Sequence, residues 1–75
     1  MIELSRLNGE RILINPELLE RAEETPDTVV TLANGSRYVV AESLDQLMST
    51  VERYRARILA RSLVLDLVGE AGAAG

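Results

Sequence analysis

The chain has no Cys, His, Trp, Phe or Lys. Without Cys there is no disulfide, no thiolate nucleophile and no Cys-based zinc site. Without His the commonest general base near neutral pH is missing. Hydrolytic chemistry would have to rest on carboxylates, or on a lone Ser or Thr with no base beside it. Two Tyr make up the aromatic complement, too few for platforms on which bases stack. No apolar run approaches the ~20 residues of a membrane span. The first residues, Met1-Ile2-Glu3-Leu4, lack the basic region and apolar core of a secretion signal. These absences lead to the expectation of a non-enzymatic cytoplasmic protein with no cofactor, no metal site and no membrane insertion.

What is present sharpens this. The formal net charge is -4, and all eight cations are Arg. An acidic balance argues against general nucleic-acid binding, whose affinity comes mostly from neutralising phosphates. A chain of 75 residues forms one domain, and so small a domain buries a modest fraction of its surface. Self-association is a common remedy.

Along the chain, Ile2 and Leu4 alternate with Glu3 and Ser5 in strand periodicity. Asn8-Gly9 precedes the apolar run Ile12-Leu13-Ile14. Asn-Gly between apolar runs signals a hairpin, with both central residues at positive φ in a type I′ turn. Asn15-Pro16-Glu17 then offers a cap, a first-turn proline and an acid for the positive helix end. The reading is a short helix from Pro16 to about Glu23, with Leu18, Leu19 and Ala22 facing inward, stopped by Thr25-Pro26-Asp27. Residues 28–32 and 37–40 flank Asn34-Gly35 as a second hairpin, both strands rich in Val. Ser43-Leu44-Asp45-Gln46 has the form of a capping box. Laying residues 8–18 over 34–44 aligns Asn-Gly with Asn-Gly, Arg11 with Arg37 and Leu18 with Leu44. Duplication and a shared hairpin-then-helix plan both account for it.

The capping box opens a long amphipathic helix. Leu44, Leu47, Val51, Tyr54 and Ile58 recur at three- and four-residue steps, Met48 widens the stripe, and Leu65 and Val68 resume it after Arg61-Ser62. Such a helix outruns a small sheet, so its distal part is expected to pack on another copy or another protein. Leu47, Val51, Tyr54, Ile58, Leu65 and Val68 are the candidate oligomer interface. Leu63-Val64-Leu65 and Leu67-Val68 make the end of the helix apolar on most sides, and Gly69, Gly72 and Gly75 punctuate what reads as a flexible Gly/Ala tail. The fold expected is α+β: two β-hairpins, a short helix between them and a long C-terminal amphipathic helix. Residues 1–62 form a single ββαββα domain, and residues 63–75 form the apolar extension and tail.

Arg53, Arg57 and Arg61 lie on one helix face at four-residue spacing and are the candidate partner-docking residues. Residues 51–62 carry four Arg and one Glu, whereas residues 1–50 carry four Arg and nine acids. The stripe suits an acidic protein surface; a solvated helix face is the plainer reading. Glu20, Glu23, Glu24 and Asp27 cluster without the spacing of a calcium loop and read as a solvated acidic turn. Asn8, Gly9, Asn34 and Gly35 read as structural turns, since neither pair belongs to a glycine-rich phosphate loop.

Leu7-Asn8-Gly9, Leu13-Ile14-Asn15 and the block from Pro26-Asp27-Thr28-Val29-Val30-Thr31-Leu32 through Asn34-Gly35 and Arg37-Tyr38-Val39-Val40 to Glu42-Ser43 resemble the small flagellar FlbD family, also called SwrD. The resemblance covers roughly residues 1–60. It implies a role in bacterial flagellar motility and swarming, through the power that the stator delivers to the motor. No catalytic or ligand residues follow from it. The partners it implies are flagellar motor or stator proteins, at the cytoplasmic side of the motor, beside self-association. The alternative is a small RNA-binding regulator using the Arg-bearing helix, against which the acidity and the scarcity of aromatics count.

Overall fold

The computed structural model describes the backbone of residues 1–74 and the side chains of residues 1–65. The element order is β1 (Ile2–Ser5), β2 (Arg11–Ile14), a single 3-10 turn (Pro16–Leu18), β3 (Leu19–Glu24), β4 (Thr28–Leu32), β5 (Arg37–Val40) and α1 (Leu44–Ala74). β1 and β2 form an antiparallel hairpin, and β3, β4 and β5 form an antiparallel sheet in that order. An antiparallel bridge between Arg6 and Val40 joins the two sheets, extended by the Ala41 N–H, which donates to the Ser5 carbonyl at 2.7 Å. The α+β class is as the sequence indicates.

Both hairpins fall at Asn-Gly, but with a different turn. The Gly9 N–H donates to the Arg6 carbonyl at 2.9 Å and the Arg6 N–H to the Glu10 carbonyl at 2.7 Å. The second turn repeats this, with Gly35 donating to Leu32 at 2.9 Å and Leu32 to Ser36 at 2.8 Å. Gly9 and Gly35 have φ of 91° and 89°, while no non-glycine residue has positive φ. These are three-residue loops with a glycine bulge, not type I′ turns. Asn therefore serves through its side chain: Asn8 Oδ1 accepts from the Glu10 N–H at 3.0 Å, and Asn34 Oδ1 from the Ser36 N–H at 2.9 Å. Gly35→Ala is expected to cost about 1–2 kcal/mol, since a Cβ is disfavoured in the left-handed region although nothing lies within 4 Å of it. Asn34→Ala should cost about 0.5–1.5 kcal/mol. Urea melts of the two variants check this.

The short helix expected from Pro16 to about Glu23 is one turn long. Asn15 caps it as expected, its Oδ1 accepting from the Glu17 N–H at 3.0 Å. The chain then enters β3 although Leu19-Glu20-Arg21-Ala22-Glu23-Glu24 are all good helix formers. Pairing decides the outcome. β4 alternates buried Thr28, Val30 and Leu32 with half-buried Val29 and Thr31 and needs hydrogen-bonding neighbours on both sides. β5 supplies one and β3 the other, with a register shift between Leu19 and Arg21. Leu19 and Ala22 pack against the core, as their inward assignment requires, whereas Leu18 is exposed. Glu20, Arg21, Glu23 and Glu24 leave β3 a charged edge strand, which discourages strand addition.

The core is Ile2, Leu4, Ile14, Val30, Leu32, Val40 and Leu47. α1 closes it from one side. Its N-terminus carries the capping box in full: Ser43 Oγ accepts from the Gln46 N–H at 3.1 Å and Gln46 Oε1 from the Ser43 N–H at 2.8 Å. Glu24, at the end of β3, adds a carboxylate that accepts from the Leu44 N–H, where the helix dipole favours negative charge. Glu42 accepts from the Ser5 N–H with both oxygens, at 2.9 and 3.0 Å, which ties the helix entry to β1. Ser43→Ala should cost about 1 kcal/mol, read from the same melts.

α1 is continuous through Arg61-Ser62 and past Gly69, so the expected glycine stop does not occur. An interior Gly costs a helix only about 1 kcal/mol, which Ala and Leu neighbours offset. At ~1.5 Å per residue, its 31 residues span roughly 46 Å. The molecule measures 54 × 23 × 19 Å with a radius of gyration of 16.1 Å, against about 11 Å for a compact chain of this length. The excess is the helix projecting beyond the sheets.

Candidate functional site

The six candidate interface residues do not share one environment. Leu47 is buried in the chain's own core, and Val51 and Tyr54 pack half-buried against it. The sheet ends there, and every residue from Arg55 to Leu65 is exposed. Ile58 and Leu65 continue the stripe into solvent; the side chain of Val68 lies outside the described residues. The first half of the stripe thus holds the helix to the sheet, and the second half is free surface. Leu59, Leu63 and Val64 are exposed beside it, so the projecting segment is apolar on several sides.

Arg53, Arg57 and Arg61 are exposed and run along one flank of α1, Arg53 beside the cleft that Ser5 and Glu42 line. Arg53 donates to Thr50 Oγ1 at 3.4 Å. The ion pairs among the described residues are Arg6–Glu10, Arg11–Glu3 and Arg21–Glu23, all in the sheet part. The helical Arg are not engaged in them. The stripe is therefore a cationic surface carried by a lever on an acidic body. Tyr54 sits in the packed stripe, and Tyr38 is half-buried under the Arg6 guanidinium, 5.4 Å from the ring centroid. Neither ring stands open as a stacking platform.

The acidic residues have structural work. Glu24 caps α1 and also accepts from Thr28 Oγ1 at 3.4 Å, a role hidden in the sequence because its partner lies twenty positions away. Glu42 lies beside an open cleft over the first turns of α1, with Asp45 and Arg53, but its carboxylate is occupied by the Ser5 N–H. Among the described residues there is no group of three or more His, Cys, Asp or Glu placed to hold a metal ion. No helix among them is long and apolar enough to cross a membrane. Every buried side-chain nitrogen or oxygen among them has a hydrogen-bond partner. Asn8, Gly9, Asn34 and Gly35 occupy the two hairpin turns.

Fold and surface together define a small α+β module whose largest free feature is a projecting, Arg-lined amphipathic helix. The family model of flagellar and swarming motility proteins, FlbD, matches residues 1–59, and the chain belongs to that family. The match spans both sheets, the docked part of α1 and the first residues of the free helix. No curated protein and no solved structure matches the chain.

Proposed function

We infer that the protein is a non-catalytic accessory factor that supports flagellar motor torque by contacting motor or stator proteins at the cytoplasmic side of the motor. The observation that carries this reading is the exposed Arg53, Arg57 and Arg61 stripe, which runs along α1 onto its free part, joined to membership of a motility family. The sheet part acts as the base that fixes the direction of the helix. The stripe meets an acidic protein surface, where charge complementarity speeds encounter and sets orientation.

Co-purification from native cells after in-cell crosslinking tests the contact. Motor or stator components are expected with the wild-type chain and are expected to be lost with Arg53→Glu/Arg57→Glu/Arg61→Glu. Recovery of RNA, and of no motor component, would contradict the reading.

A further inference from the structure

A second face of α1 has a pattern that complements itself. Met48, Glu52, Arg55 and Leu59 follow one another at steps of four, three and four along the helix and so share one side of it. All four are exposed, Met48 at 52% and Leu59 at 63%. This side is distinct from the stripe packed on the sheet and from the Arg53, Arg57 and Arg61 face. Its midpoint falls between Arg53 and Tyr54. When a second copy of the helix runs antiparallel about that midpoint, residues equidistant from it face each other. Glu52 then meets Arg55 of the second copy, and Arg55 meets its Glu52. Met48 meets Leu59 in the same reciprocal way, and Leu44 meets Leu63. A parallel arrangement would instead set Glu52 beside Glu52 and Arg55 beside Arg55, which repel.

The surroundings fit the same occupant. The face borders a groove of about 300 Å³ between β3 and α1. Leu19, Ala22 and Met48 form its apolar floor, and Glu20, Arg21, Glu52 and Arg55 line it as well. An antiparallel second helix would lay its residues 52–63 along this groove, opposite Leu44 to Arg55 of the first. On the pairing side that segment presents Arg55 and the exposed Leu59 and Leu63. The apolar floor on one copy thus meets Leu59 and Leu63 of the other, and Glu52 at its edge meets Arg55, twice over.

We propose that the protein forms a two-fold dimer in which the α1 helices pair antiparallel through Met48, Glu52, Arg55 and Leu59, each free helix covering the β3–α1 groove of its partner. The pairing is independent of what the Arg53, Arg57 and Arg61 stripe binds, and it leaves that stripe outward on both copies.

Sedimentation of the full chain distinguishes the outcomes. At about 100 µM the wild type is expected at twice the 8.2 kDa chain mass. Glu52→Arg and Arg55→Glu, each placing like charges opposite one another twice, should separately weaken the dimer by about tenfold or more. An equimolar mixture of the two variants should restore it, because each then meets its opposite. Leu59→Asp should yield the 8.2 kDa species. All these positions are exposed, so circular dichroism should report unchanged helix content. A wild type at 8.2 kDa, a mixture that stays monomeric, or a Leu59→Asp chain that remains dimeric would overturn the proposal.

Discussion

Leu47→Ala is expected to lower the free energy of unfolding by about 2–5 kcal/mol. The side chain is 3% exposed and, among the described residues of α1, is the one in the fully buried core. Leu44, Val51 and Tyr54 pack around it at the edge of that core. Removing it opens a cavity where the helix meets Leu4, Val30 and the other strand residues. A domain of this length has about 4–11 kcal/mol in total, so the variant is expected to be partly unfolded at 37 °C. Ile58→Ala is the control. Ile58 continues the same stripe but is 48% exposed, and its change should stay within about 0.5 kcal/mol in the monomer. Equilibrium urea unfolding at low protein concentration measures both. A loss below about 1 kcal/mol for Leu47→Ala, smaller than any ordinary Leu-to-Ala cavity, would mean that α1 is not anchored through this residue.

The second large effect is functional. Arg53→Glu/Arg57→Glu/Arg61→Glu is expected to abolish swarming while leaving urea stability within about 1 kcal/mol. The three side chains are exposed and make no ion pair to a described residue, so little folding energy depends on them. An exposed pair contributes about 0.2–1 kcal/mol. Replacing all three Arg by Gln should therefore weaken docking by roughly tenfold to a hundredfold and flatten its salt dependence. Reversal adds repulsion and should do more than neutralisation. Swarm-plate expansion with matched protein levels separates the three strains. Equal swarming by all of them would remove the stripe from the contact.

Much of this was legible in the residues, and the misses have physical causes. The hairpin positions, the Asn15 cap, the Ser43–Gln46 box and the start of the last helix all rest on local chemistry, which the sequence displays directly. The turn type was missed because Asn-Gly suits two geometries, and the glycine bulge uses Asn8 and Asn34 as side-chain acceptors rather than as left-handed residues. β3 was missed because its residues prefer helix and only the unpaired edge of β4 makes them extended. The division of the α1 stripe was missed because the pattern runs unbroken from Leu44 to Ile58, while the sheet that covers it ends near Tyr54. The capping role of Glu24 and the Glu42–Ser5 tie join residues distant in sequence, so no local pattern announces them. Met48, Glu52, Arg55 and Leu59 carry a readable signal, their spacing about a common midpoint. It gains meaning only once the sheet is seen to occupy the neighbouring face.

These assignments join into one physical picture. Two bridged sheets hold the base of α1 through Leu47, and the caps at Ser43 and Glu24 set where the helix begins. The sheet then ends, and the helix continues as a free arm with one cationic face and one apolar face. The central claim is that this arm serves the power of the flagellar motor. Single-motor torque, read from a bead rotating on a tethered filament in a strain lacking the gene, tests it most directly. The account predicts reduced torque in that strain, restored by the wild-type chain and not by Arg53→Glu/Arg57→Glu/Arg61→Glu; normal torque in the absence of the gene would contradict it.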